Sequence, residues 1–210
     1  MEYPVYYVPS GYGEAEITEK RSRFIGRVWR TESEEEALAH LNEMREQHWD
    51  ATHNVFAYSI REGSLMRYSD DGEPHGTSGK PTLDVFTGAK VTNFCCVITR
   101  YFGGILLGTG GLVRAYSQTA KAALENAGIS VVRMWRKMLV ACPYNLFERV
   151  RAELALIGGS EESIDYAGDV TLSVLVPEET AEAFTLRLAD ISAGKIETIS
   201  EGNEYIAGKL

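Results

Sequence analysis

Phe94-Cys95-Cys96-Val97-Ile98-Thr99-Arg100-Tyr101-Phe102-Gly103-Gly104-Ile105-Leu106-Leu107-Gly108-Thr109-Gly110-Gly111-Leu112-Val113-Arg114-Ala115-Tyr116 is the stretch on which the fold turns. Its β-branched and apolar start predicts a buried strand over 93–101. Half of the next ten residues are glycine, and they run directly into a helix. Val113, Tyr116, Ala120, Ala123 and Ala127 share one face of that helix, and Gly128 ends it. Adjacent Cys95 and Cys96 would point to opposite faces of the strand, as small buried thiols of a reduced, cytoplasmic protein.

On the N-terminal side, residues 16–30 read as one extended strand carrying the basic run Lys20-Arg21-Ser22-Arg23. Ser33 three residues before Glu36 is a capping-box pattern. It opens a helix with Ala37, Leu38, Leu41, Met44 and His48 facing a core. Residues 54–60 and 64–69 predict two strands joined in a tight hairpin at Glu62-Gly63. The polar segment Asp70 to Lys80 follows, and Pro81 suits the first position of a short helix running to about Gly88.

On the C-terminal side the pattern changes. Residues 137–143 predict a strand, and Asn145 with Glu148 caps a helix with Phe147, Val150, Leu154 and Ile157 inward. Alternation at Ile164 and Tyr166, and at Val170, Leu172, Val174 and Val176, predicts two strands around Gly168-Asp169. A second helix starts at Pro177 with Ala181, Phe184, Leu188 and Ile191 inward, and 195–200 form a last strand. The order βαββαβ is the ferredoxin-like signature, so the expected domains are 1–134 and 135–210.

The 210 residues are 44% hydrophobic and 24% charged, enough apolar surface to exclude a disordered chain. Neither a secretory signal in Met1 to Gly13 nor an apolar run of membrane-spanning length is expected. Net charge is −9, which excludes a general nucleic-acid coat but leaves room for a local basic patch. Residues 1–134 hold 14 basic and 17 acidic residues, net −3; residues 135–210 hold 7 and 13, net −6. An anion site therefore belongs to the N-terminal part.

Glycines permit close approach of backbone to a ligand, and a helix N-terminus offers unpaired N–H donors and partial positive charge. Gly103, Gly104, Gly108, Gly110 and Gly111, with Arg100 and Arg114 on the flanking elements, can thus hold a phosphate; the same glycines equally serve tight turns and close packing. Walker A fails, because Pro74 and Pro81 stand where it needs Gly and Ser or Thr around Lys80. The dinucleotide fingerprint fails at Val113. No cofactor is expected. Asp70, Asp71, Glu73 and His75 match no metal-binding spacing, so turn capping is the expected role of the aspartates and no metal is expected. No nucleophile elbow or Cys–His signature is present.

Lys20-Arg21-Ser22-Arg23-Phe24-Ile25, Asp70-Asp71-Gly72-Glu73-Pro74 with Gly76-Thr77 and Gly79-Lys80-Pro81, and Val97 to Ile105 with Leu107-Gly108 and Gly110 to Tyr116, together resemble the IMPACT family in its bacterial YigZ-type branch. The resemblance spans the chain. His75 and Ser78 depart from the small Ser and Ala that the family pattern places there. The resemblance implies an α+β chain with a ribosomal-protein-S5 domain-2-like N-terminal domain and a ferredoxin-like domain similar to one in the translocation factor EF-G. It also implies that the extra N-terminal domain of eukaryotic members, through which they engage a protein partner, is lacking here. Those relatives regulate translation initiation under amino-acid starvation.

The leading expectation is a non-enzymatic, cytoplasmic binding protein linked to translation. Its partner would be RNA or a ribosome-associated protein, or a nucleotide or phosphate, with no membrane. Lys20, Arg21, Arg23, Lys80, Arg100 and Arg114 would supply charge, and the amides of Gly103 to Gly111 directed donors. The rivals are an enzyme acting on a small phosphorylated or nucleotide substrate, using Asp70, Asp71, Glu73 or His75 as acid or base, and a purely protein-binding regulator.

Overall fold

The structure, a computed structural model, describes residues 5–209, which divide into two compact units, Tyr6–Val131 and Val132–Gly208. In the first unit the order is β1 (Tyr6–Pro9), β2 (Gly13–Glu19), β3 (Ser22–Arg30), α1 (Glu34–Gln47), β4 (His53–Ile60), β5 (Leu65–Ser69), α2 (Gly79–Gly88), β6 (Phe94–Tyr101) and α3 (Thr109–Ala127). β2 to β6 form an antiparallel sheet in the order β2-β3-β6-β4-β5.

Period-2 alternation sends successive residues of β6 to opposite faces. Phe94, Cys96 and Ile98 join the core under α2 and α3, with Phe24, Val55, Phe86, Tyr116, Ala120 and Ala123. Cys95 and Val97 join the core under α1, with Leu41, Met44, Tyr58 and Ile60. The two cysteines therefore face apart as expected, and both are fully buried. Small residues let α3 settle onto the sheet: a Cβ on Gly13 would sit 2.3 Å from the Ala127 amide nitrogen, and one on Gly26 would sit 2.7 Å from the Thr119 methyl.

Several sequence expectations are corrected. The strand expected over 16–30 is a hairpin, because Lys20 and Arg21 form a two-residue turn with φ of 46° and 66°. Nothing in their chemistry signals this, since such turns ordinarily select Asn and Gly. The β4–β5 connection is a four-residue 3₁₀ loop around Gly63, not a two-residue turn. α2 begins at Gly79 and α3 at Thr109, each before the expected start. Leu38 and Val113 are exposed, whereas Ala37, Leu41 and Met44 of α1 and Tyr116, Ala120, Ala123 and Ala127 of α3 are buried as expected. Ser33 does cap α1 by accepting the Glu36 amide at 3.2 Å, while the Glu36 carboxylate reaches one residue beyond the box to the Glu32 amide.

The second unit is built from β7 (Ile129–Cys142, continuing from the first unit), α4 (Phe147–Leu156), β8 (Ser160–Tyr166), β9 (Val170–Pro177), α5 (Glu178–Ser192) and β10 (Glu197–Lys209). β10, β7, β9 and β8 lie side by side in that order, the ferredoxin-like arrangement of a βαββαβ chain. Val140, Val150, Leu154, Leu172, Phe184 and Leu188 form its core. The expected Asn145 cap is replaced by a 3₁₀ turn over Tyr144–Leu146, and β10 runs well past residue 200. Among the described residues no helix is long and apolar enough to cross a membrane.

Candidate functional site

One pole of the first sheet gathers most of the residues singled out above. There β3 begins at Ser22, β4 begins at His53 and β6 ends at Tyr101, with Arg100 registered opposite both Phe24 and His53. The chain then leaves β6 and turns over the β2–β3 hairpin. Gly103 makes this possible: a Cβ there would lie 2.0 Å from the Arg21 carbonyl carbon, so no other residue fits without moving backbone. The Gly103 amide donates to the Ser22 hydroxyl at 3.2 Å, and the Phe102 amide to the Thr52 hydroxyl at 3.1 Å.

Under this loop lies a buried polar cluster that sequence reasoning missed. Arg100 is expected to contact solvent anions but is buried, and its Nη1 donates to Glu73 Oε1 at 2.6 Å. The Tyr116 hydroxyl donates to the same oxygen at 2.7 Å; burial first, and then the carboxylate, push this phenol well above its ordinary pKa. The second guanidinium nitrogen reaches Ser22 Oγ at 3.4 Å, and Nε has no hydrogen-bond partner among the described residues. His53 Nδ1 donates to the Asp71 carbonyl at 2.7 Å, which leaves Nε2 facing Glu73 Oε2 at 3.8 Å. A salt bridge 27 positions apart in sequence, with both side chains almost wholly buried, carries no local signature.

The four acidic and imidazole candidates of the 70–80 loop do not converge. Asp70 accepts the amides of Gly76, Ser78 and Gly79 and the Ser78 hydroxyl, closing the N-terminus of α2. Asp71 accepts the Asn54 amide at 2.6 Å and lies 3.6 Å from Arg45. His75 is fully exposed, its Nδ1 3.8 Å from Asp70 Oδ2, and of the four side chains only that of Glu73 enters the buried cluster. Turn capping is thus as expected for Asp70, whereas the Asp71 carboxylate instead ties the loop to β4 and α1.

Burial alone would raise the Asp70 pKa, but hydrogen bonds from Gly76, Ser78 and Gly79 outweigh it and hold the carboxyl below its ordinary value. A carboxylate depressed in the folded state stabilises above its unfolded pKa of about 3.9 and loses that contribution as pH falls through the folded value. Asp70→Asn should therefore be less stable than the parent at neutral pH, and the gap in urea midpoint should close as the solution is acidified. A constant gap would show that the charge is not what stabilises the loop.

The basic candidates separate into two sets. Arg23 is held by both oxygens of Glu16, and Lys80 pairs with Asp84, so each is neutralised within its own element pair. Lys20, Arg21 and Arg114 are exposed and form no ion pair among the described residues. At α3, Gly104, Gly108 and Gly110 are exposed while Gly103 and Gly111 are half-buried. The α3 N-cap is Gly108, which has no capping side chain, and the first turn holds no acid. By contrast α1 starts on Ser33 and three glutamates, and α2 on Asp70. The first-turn amides of α3 are the donors the helix leaves unpaired.

Residues 20–124 match the Impact N-terminal domain, and residues 140–195 match a domain of unknown function, DUF1949. The chain is 36% identical to the IMPACT family member YvyE of Bacillus subtilis, over 94% of this chain and 91% of that protein. It is 35% identical to the IMPACT family member YigZ of Escherichia coli, over 86% of this chain and 90% of that protein. A crystal structure described as that of a hypothetical protein superposes with a TM-score of 0.60 at 32% identity, covering 96% of this chain and 99% of that one. The Impact domain accounts for the pole just described, both units are matched, and the chain belongs to the IMPACT family.

Proposed function

We propose that the first unit is a non-catalytic binding module for the phosphates of RNA, in a protein that works with the cytoplasmic translation apparatus. The observation that carries this reading is an uncapped, solvent-open α3 N-terminus, led in by a loop that packs at Gly103 onto the Lys20–Arg21 turn. Open amides and a partial positive charge suit a phosphate oxygen. Lys20, Arg21 and Arg114 supply cations that no internal carboxylate neutralises among the described residues. Lys20 and Arg21 also occupy the left-handed backbone region, which costs on the order of 1 kcal/mol per side-chain-bearing residue and is common at binding sites. The proposed contacts are therefore Lys20, Arg21, Gly104, Gly108, Gly110 and Arg114. Arg100 supports them from below.

Phosphate binding releases counterions, so the logarithm of affinity falls linearly with the logarithm of salt, by about 0.7 per phosphate contact on a single strand. Anisotropy titrations of a fluorescent RNA across salt concentrations test this. The Lys20→Ala, Arg21→Ala, Arg114→Ala variant should lose about 2 from that slope. An unchanged slope, or no binding by the parent at low salt, would refute the reading.

A second reading as an enzyme rests on Glu73 Oε2 and His53 Nε2, which face one another across 3.8 Å and provide an acid–base pair. Nucleotide- or sugar-phosphate-dependent thermal stabilisation that disappears in His53→Ala, with turnover of the ligand, would favour it over simple binding.

A further inference from the structure

We propose that Phe102 is a stacking platform for an unpaired base, so that the RNA taken at this pole is single-stranded rather than duplex; the inference rests on the phosphate-binding reading above. Phe102 is the first residue beyond β6, and the residue is 45% exposed. The loop it begins also turns Ile105 and Leu106 outward, the latter 82% exposed. These are apolar side chains that the first unit does not use in its core, on the segment that packs at Gly103 onto the Lys20–Arg21 turn and then runs into α3.

The ring is held in place. Its backbone amide is fixed on Thr52, and the Arg100 guanidinium carbon lies 5.5 Å from its centroid. That guanidinium is itself immobilised by Glu73 and Ser22 and lies 5.3 Å from the Phe24 ring centroid. A cation beneath an exposed aromatic, within about 6 Å of its centroid, is a favourable arrangement that fixes the ring without covering it. A base stacks on such a ring through its π-face, which every base has. In a duplex those faces are occupied by neighbouring base pairs, and A-form RNA presents mainly its backbone and 2′-hydroxyls. An exposed fixed aromatic beside open amides and unpaired cations thus fits a single strand, with phosphates on the amides and a base on the ring.

The experiment uses the full chain and three probes: a short unstructured RNA, a duplex of the same sequence, and inorganic tripolyphosphate. The parent should bind the single strand more tightly than the duplex. Phe102→Ala should weaken single-strand binding on the order of 5- to 100-fold, the range for one lost base–aromatic stack. It should leave duplex and tripolyphosphate binding unchanged, and Phe102→Trp should restore single-strand affinity. Equal losses on single strand and duplex, or no loss on the single strand, with tripolyphosphate binding intact, would overturn the stacking role while leaving the phosphate site standing. Failure of the parent to bind tripolyphosphate and both RNAs at low salt would overturn the phosphate reading itself. Salt-insensitive capture of a protein that Phe102→Ala abolishes, without RNA binding, would assign the ring to a protein interface and overturn the proposal.

Discussion

Replacing Glu73 with alanine is expected to lower the stability of the first unit by about 3–5 kcal/mol, the cost of removing one partner of a buried ion pair. The carboxylate side chain is 3% exposed and its partner guanidinium 6%. Without Glu73, Arg100 keeps its charge in a site walled by Phe24 and Phe102, and the Tyr116 hydroxyl loses its acceptor. The loss comes from the stranded charge more than from the vanished attraction, since an intact buried pair is nearly neutral against apolar replacements of similar volume. The double variant Glu73→Ala, Arg100→Met should therefore be more stable than Glu73→Ala alone, and urea unfolding of the four forms measures the coupling. If the double variant is as unstable as the sum of the two single ones, the pair is not the organising contact described here.

Gly103→Ala should be nearly as damaging, for a steric reason. The added methyl would stand 2.0 Å from the Arg21 carbonyl carbon, 2.2 Å from its oxygen and 2.4 Å from the Ser22 amide nitrogen. All three are backbone atoms of a turn already in an unusual conformation, so no side-chain rotation relieves the overlap. Either the hairpin turn or the loop must shift, breaking the Gly103 bond to Ser22. Overpacking in tight sites costs about 1–3 kcal/mol and sometimes more, and a backbone collision belongs at the upper end. Gly104→Ala is the control: its φ is 80° but nothing lies within 4 Å, so strain of about 1 kcal/mol is its whole cost. Urea midpoints should rank Gly103→Ala well below Gly104→Ala. Because the loop is displaced, Gly103→Ala should also lose tripolyphosphate affinity, whereas Gly104→Ala should keep most of it.

Where hydrophobic period and capping chemistry were strong, the sequence was sufficient. Cys95 and Cys96 face apart because β6 alternates, and α3 turns Tyr116, Ala120 and Ala123 inward because they recur at helical spacing. The sequence ends β10 too early because its middle, Glu201-Gly202-Asn203-Glu204, is polar and interrupts the apolar signal before Tyr205 and Ile206. The β2–β3 hairpin was invisible because its turn is made by Lys20 and Arg21, residues that ordinarily extend a strand face. At the site, the glycine loop and the exposed cations were legible as types. The sorting of those cations was not. Whether a basic side chain is free is decided by carboxylates that the fold brings to it, Glu73 to Arg100 and Glu16 to Arg23, through strand register and loop path. Asp70 showed its role because capping is local; Asp71 and Glu73 did not, because the partners of Asp71 come from β4 and α1 and those of Glu73 from β6 and α3.

The three sulfurs carry an experimental consequence of their own. Cys95 and Cys96 lie back to back across the middle strand of the first unit and Cys142 inside the second, all unoxidised and all enclosed. Enclosure lifts the Cys95 thiol to about 12, so almost none of it is the reactive anion at neutral pH. Alkylation of the native molecule must then wait for an opening event, and the two units carry separate clocks: a paired one buried at the centre of a sheet, and a single one beneath the ferredoxin-like helices.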